Sequence, residues 1–180
     1  MNQTNFKSLL RHMVYAAVCL ALCMVLPFLT GQIPQIGQAL SPMHIPVLLC
    51  GFLCSWPLAA LVGFVAPLLR YVLFGMPPLF PTGVAMAFEL ATYGLISALL
   101  YRALPKKTVN IYVSLIGAML AGRVVWGLVR WVLAGLTSAE FTFQMFLAGA
   151  FTSAVPGLIC HIVLIPIIVL ALKKAKLFKD

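Results

Sequence analysis

The chain has 180 residues, of which 63% are hydrophobic and 8% charged, with a formal net charge of +9. That balance excludes a soluble helical domain, which needs a polar face on each helix, and matches a chain built from spans of about 20 apolar residues. The positive charge invites a nucleic-acid partner, but its placement along the chain points to a lipid bilayer and no nucleic acid.

Candidate spans run over about 12–29, 41–55, 57–74, 83–101, 109–134 and 145–172, within a single domain covering 1–180. Lys7 and Arg11 precede the first apolar run, as they would in a signal peptide. A small-residue cleavage site is not evident and the rest is equally apolar, so a retained first helix is expected. Cys19 and Cys23, and later Cys50 and Cys54, form i, i+4 pairs inside apolar runs and read as soft packing residues. They lack the His or carboxylate partners of a metal set, and no metal or other cofactor is expected. The loop "TGQIPQIGQAL" at 30–40 is uncharged and rich in Gly and Gln, and is a candidate lid. The second span opens on "SPMHIPVLL" with His44, and Ser55-Trp56-Pro57 separates it from the third. Residues 41–74 hold one basic residue and no acid, so a single kinked helix is the alternative there. "GMPPLFPTG", "LPKKT" and "GLTSAEF" mark the remaining breaks.

Basic residues decide between five spans and six. With six, Lys7, Arg11, Arg102, Lys106, Lys107, Lys173, Lys174, Lys176 and Lys179 all fall on one side. The opposite loops, 30–40, 75–82 and 135–144, carry no Lys or Arg. The positive-inside rule therefore predicts an all-α integral membrane protein, a bundle of six transmembrane helices with both termini cytoplasmic. These flanks meet anionic lipid and account for most of the net charge.

Three arginines remain, Arg70, Arg123 and Arg130, with Glu89 the only carboxylate inside a span. A charge within the bilayer costs at least about 2.5–3.5 kcal/mol and usually faces the protein interior or a watery cavity. At about 1.5 Å rise per residue, all four lie in the outer half of the membrane. In "AGRVVWGLVRWV", Arg123, Trp126 and Arg130 share one helical stripe. Three arginines against one glutamate leave a local surplus of two positive charges, suited to an anionic ligand, and the guanidinium fork suits a carboxylate. Trp126, Tyr93 and Tyr71 offer aromatic walls. His44, beside the outer loop, serves either ligand or local structure. Arg70 and Arg130 are also open to snorkelling to the outer interface, and Arg123 to a structural pair with Glu89. His161, between Pro156-Gly157 and Pro166, reads as a packed histidine. The sequence holds no nucleotide-binding loop and none of the hydrolase or zinc-protease motifs, so no enzyme is expected. Small residues recur four apart, as at Ala17/Ala21, Ala59/Gly63, Ala87/Ala91, Gly94/Ala98 and Ala118/Gly122. Such pairs let helices approach closely, or dock another membrane protein.

Size, six helices and the missing ATPase resemble the S component of an energy-coupling factor (ECF) transporter. "AAVCLALC", with Ala17-x-x-x-Ala21, is similar to the family's A-x-x-x-A motif, and "SPMHIPVLLCGFLCSWPLAALVG" to its second-to-third helix region. Ser55-Trp56-Pro57 departs from that region's tight Gly/Pro turn. The resemblance implies a substrate-capture subunit in the plasma membrane of a prokaryote. It would bind a vitamin from outside and dock through Ala17 and Ala21 on a transmembrane coupling protein served by two cytosolic ATPases. The arginine surplus favours an anionic vitamin, and "SPMHIPVLL" looks most like members assigned to pantothenate. Folate and niacin are also acidic; riboflavin, hydroxymethylpyrimidine and queuosine precursors are further cargoes of the family. A small secondary carrier and a non-transport assembly or sensor protein are the rival classes. The ligand-binding residues expected are Arg123, Trp126, Arg130, Glu89, Arg70, His44 and Tyr93.

Overall fold

The computed structural model describes residues 3–30, 39–137, 140–152 and 154–175. All regular structure among the described residues is helical. Helix α1 spans Gln3–Val25 without Pro or Gly and tightens into a last turn, Leu26–Thr30, at Pro27. Helix α2, His44–Leu53, carries Pro46 in its first turn, where a missing N–H is harmless. The chain is extended at Cys54 and Ser55, and α3 runs Trp56–Phe74 with Pro57 in its first turn. It stops at Gly75, whose φ of 69° is left-handed and open to glycine at little cost. The proline-rich segment then feeds α4, Val84–Ala103, through cis bonds before Pro77 and Pro81. Helix α5, Thr108–Thr137, is the longest. The short α6, Phe143–Leu147, has the Thr142 side chain accepting from the Met145 N–H, a normal helix start. A further helical stretch, Ala148–Thr152, precedes α7, Val155–Lys174, which has Pro156 in its first turn and Pro166 within it.

Contacts fix the helix directions. The Cys54 thiol donates to the His12 carbonyl and Arg102 donates to the Cys54 carbonyl at 2.9 Å, placing the start of α1 and the ends of α2 and α4 together. The Cys23 thiol donates to the Met43 carbonyl, and Arg70 to that of Met24, so the end of α1, the start of α2 and the end of α3 share the other end. Chain direction therefore reverses between α2 and α3, and residues 41–74 form two helices. The α3–α4 seam is closed by glycine. A Cβ at Gly63 would collide with the Leu90 backbone, and one at Gly94 with that of Ala59. On the next seam a Cβ at Gly122 would collide with the Tyr93 ring.

Five segments are long and apolar enough to cross a membrane: Phe6–Leu29, Trp56–Phe74, Leu79–Ala103, Thr108–Thr137 and Phe143–Lys174. Helix α2 is not among them. Its 10 residues rise about 15 Å, half of a hydrocarbon core about 30 Å thick. The second predicted span is thus shorter than expected, and the last is divided into α6, the 148–152 stretch and α7. Every residue of α2 except Ile45 and Leu53 is buried, so this helix is enclosed by its neighbours. The outward faces of α5 and α7 are apolar, with Val113, Leu120, Leu128, Ile159 and Ile167 exposed, as lipid contact requires.

Candidate functional site

Glu89 on α4 is 1% exposed and is the centre of a buried polar cluster. Its Oε1 lies 3.0 Å from Arg123 Nη1 of α5 and accepts from the Tyr93 hydroxyl at 3.0 Å. His44 Nε2, at the start of α2, is 3.6 Å away. The His44 ring meets Tyr93 edge-on at 5.3 Å and lies near-parallel to His161 of α7, 5.9 Å between centroids and 13° between planes. Three helices therefore meet at one carboxylate, and His161 brings α7 to the cluster through His44. The close α4–α5 approach at Gly122 brings the Arg123 backbone near Glu89. The ion pair is charge-neutral, which makes its burial tolerable.

A second group lies further along the same stripe of α5. The Arg130 guanidinium stands 5.9 Å from the centroid of Trp126 and 5.5 Å from that of Phe141. Trp126 packs edge-on to Phe141 at 6.1 Å and near-parallel to Phe146 of α6 at 6.4 Å. Gly127 and Gly149 give these rings room: a Cβ at Gly127 would collide with Phe146, and one at Gly149 would come 2.7 Å from Trp126. Arg130 Nε is buried with no hydrogen-bond partner among the described residues. On the neighbouring face of α5, an apolar groove of about 380 Å³ runs past Leu128, Trp131 and Phe143. It adjoins this aromatic group and is separate from the Glu89 cluster.

Six of the seven expected ligand residues fall into these two groups: Glu89, Tyr93, Arg123 and His44 in the first, Trp126 and Arg130 in the second. Arg70 does not join them. It donates to the Met24 carbonyl at the end of α1, with its guanidinium 5.0 Å from the Phe28 ring centroid and 5.1 Å from that of Phe74. The local charge count changes accordingly. Glu89 neutralises Arg123, Arg70 is elsewhere, and one net positive charge, Arg130, remains where two were expected. His161 is the member of the cluster that sequence reading set aside as packing. A lone histidine in an apolar helix carries no signal, and only its position opposite His44 brings it in. Most of the candidate lid, residues 31–38, lies outside the described residues. Ala17 and Ala21 are both exposed on α1, whereas Ala59, Gly63, Gly94, Ala98, Ala118 and Gly122 are buried.

The family model for the substrate-specific component of ECF transporters matches residues 11–173. No curated protein and no solved structure shows significant similarity to the chain. Five long apolar helices together with a transporter family make this a multi-pass membrane protein. The match runs from within α1 to within α7 and takes in both polar groups, so the chain belongs to the substrate-specific components of ECF transporters.

Proposed function

We propose that this substrate-binding subunit captures a small acidic micronutrient at the end of the bundle where α2 and α4 begin. The observation that carries the reading is the convergence of Arg123, Tyr93 and His44 on the buried Glu89 carboxylate, with Arg130 further along the same stripe of α5. Buried ionisable groups inside a membrane span are costly and mark ligand pathways by default. A single uncompensated guanidinium favours a monoanion, held by the fork of Arg130. Glu89, His44 and Tyr93 then offer hydrogen bonds to uncharged polar groups of the cargo. Pantothenate, one carboxylate with hydroxyls and an amide, has that chemistry; folate carries one charge too many.

We place both termini in the prokaryotic cytoplasm and count six crossings, with α2 as the enclosed, short one. The reversal at Cys54–Ser55, the bond from Arg102 to the Cys54 carbonyl and the gathering of Lys106 and Lys173 on the Tyr101 ring support this. The exposed Ala17 and Ala21 are the proposed contact with the coupling protein, which carries two ATPases. Small residues there let a partner helix approach closely.

The deciding experiment is thermal stabilisation of the purified chain against a panel of vitamins. Binding to the native state adds RT ln(1 + [L]/Kd), about 4 kcal/mol at 1,000 Kd. A shift with pantothenate alone is the expected result. A shift with riboflavin or hydroxymethylpyrimidine instead would overturn the acidic-cargo reading. Flux in liposomes holding this chain alone would favour a secondary carrier.

A further inference from the structure

His161 is 1% exposed, and neither of its ring nitrogens makes a hydrogen bond with a described residue. The Ser41 backbone lies close enough to act on the ring, short of the geometry of a made hydrogen bond. Two more polar atoms of the same cluster are in the same state: Nδ1 of His44, 3% exposed, and Nε of Arg123, 7% exposed. Buried polar atoms are nearly always paired, and leaving one unpaired is costly. Three side chains from three helices bearing unpaired polar atoms in one cluster therefore call for a common partner. A purely packed position at 161 would be filled better by Phe or Leu.

The backbone around the pair is built for close approach. Gly157, one turn before His161, faces the Ala39 carbonyl, and an added Cβ would come 2.6 Å from it. The close packing holds α7 against the segment that leads into His44. The two imidazoles are thus set side by side by the fold.

We infer that the His44–His161 pair reads an uncharged donor–acceptor group of the cargo, a hydroxyl or an amide, with His161 a specificity-determining residue. The inference rests on the acidic-cargo reading above and deepens it. An uncharged imidazole presents one N–H donor and one bare acceptor nitrogen, so a pair presents both kinds. A hydroxyl or amide satisfies both at once. A carboxylate at this position would face Glu89, so the acid group belongs at Arg130. Sites that hydrogen-bond a substrate hydroxyl reject the analogue lacking it far more strongly than apolar pockets reject a missing methylene.

The test measures affinity by titration calorimetry for pantothenate and for the N-acyl-β-alanine that lacks both hydroxyls. Wild type, His161→Phe and His161→Asn are compared, each checked for a single size-exclusion peak. The wild-type chain should prefer pantothenate by about tenfold or more, the worth of a lost hydrogen bond in a buried site. His161→Phe should erase that preference by weakening pantothenate alone, and His161→Asn, which keeps a donor and an acceptor, should restore part of it. A His161→Phe chain that binds and still discriminates as wild type does would overturn the inference and leave the acidic-cargo reading standing. If His161→Phe fails to fold, His161→Asn decides: a preference for pantothenate that is present but smaller than that of wild type is expected, and one equal to that of wild type sinks the proposal. Binding of neither compound by the wild type overturns the acidic-cargo reading and the inference with it.

Discussion

Glu89 and Arg123 lie 34 positions apart in the chain and 3.0 Å apart in space. The pair predicts its own mutational signature. Glu89→Ala leaves the Arg123 guanidinium buried and unpaired, which should cost about 3–5 kcal/mol and lower the unfolding temperature in detergent. Glu89→Gln combined with Arg123→Met should recover most of that stability yet lose ligand binding. Recovery of both would show that the pair only packs. Arg70 predicts the opposite pattern. Arg70→Met removes a charge-assisted bond to the Met24 carbonyl and the contacts with Phe28 and Phe74. Stability should fall by about 1.5–3 kcal/mol while affinity for cargo stays within about twofold. A large loss of affinity would put Arg70 back beside the ligand. Sequence reading could find each intramembrane charge, because a charge in an apolar run stands out. It could not sort them, because Arg70's partners lie 46 residues away on α1 and at both ends of the aromatic pair.

At the scale of elements, exposure separates small-residue pairs that look alike in sequence. Ala59, Gly63 and Gly94 sit where two helix backbones touch, and no side chain fits at the glycines. Ala17 and Ala21 face outward. Gly63→Leu should therefore fail to give a folded, extractable protein. Ala17→Trp with Ala21→Trp should fold and bind cargo but lose co-purification with the coupling protein. If the complex survives, that face of α1 meets only lipid. Helix α2 is the other lesson at this scale. Its apolar run reads as a span because burial in protein and burial in lipid select the same residues, and only enclosure by neighbours lets so short a helix persist at membrane depth.

A six-pass bundle puts Lys106 and Glu140 on opposite sides of the membrane. Single cysteines placed at Lys106 and at Glu140, in a background lacking the five native ones, should react with an impermeant maleimide from opposite faces of the membrane. Lys106 should react from the side shared by both termini. Labelling of both from the same face would mean an even number of crossings between them and would sink the six-pass topology. Helix direction supports the expectation, since α5 alone joins the two positions and runs about 45 Å, longer than the hydrocarbon core.

Membrane as the solvent, the number of long apolar helices to within the short α2, and the clustering of basic residues are all legible in the chain. These follow from composition, from where proline and glycine interrupt apolar runs, and from basic residues that cannot cross lipid. Local chemistry carries all three, so they are legible along a line. Which charges meet depends on how the helices pack. That packing paired Arg123 with Glu89, sent Arg70 to the end of α1, and set His161 against His44. Those outcomes depend on the packing of glycine-lined helix seams, where a single absent Cβ fixes which faces touch. No period or motif within one helix records its neighbour.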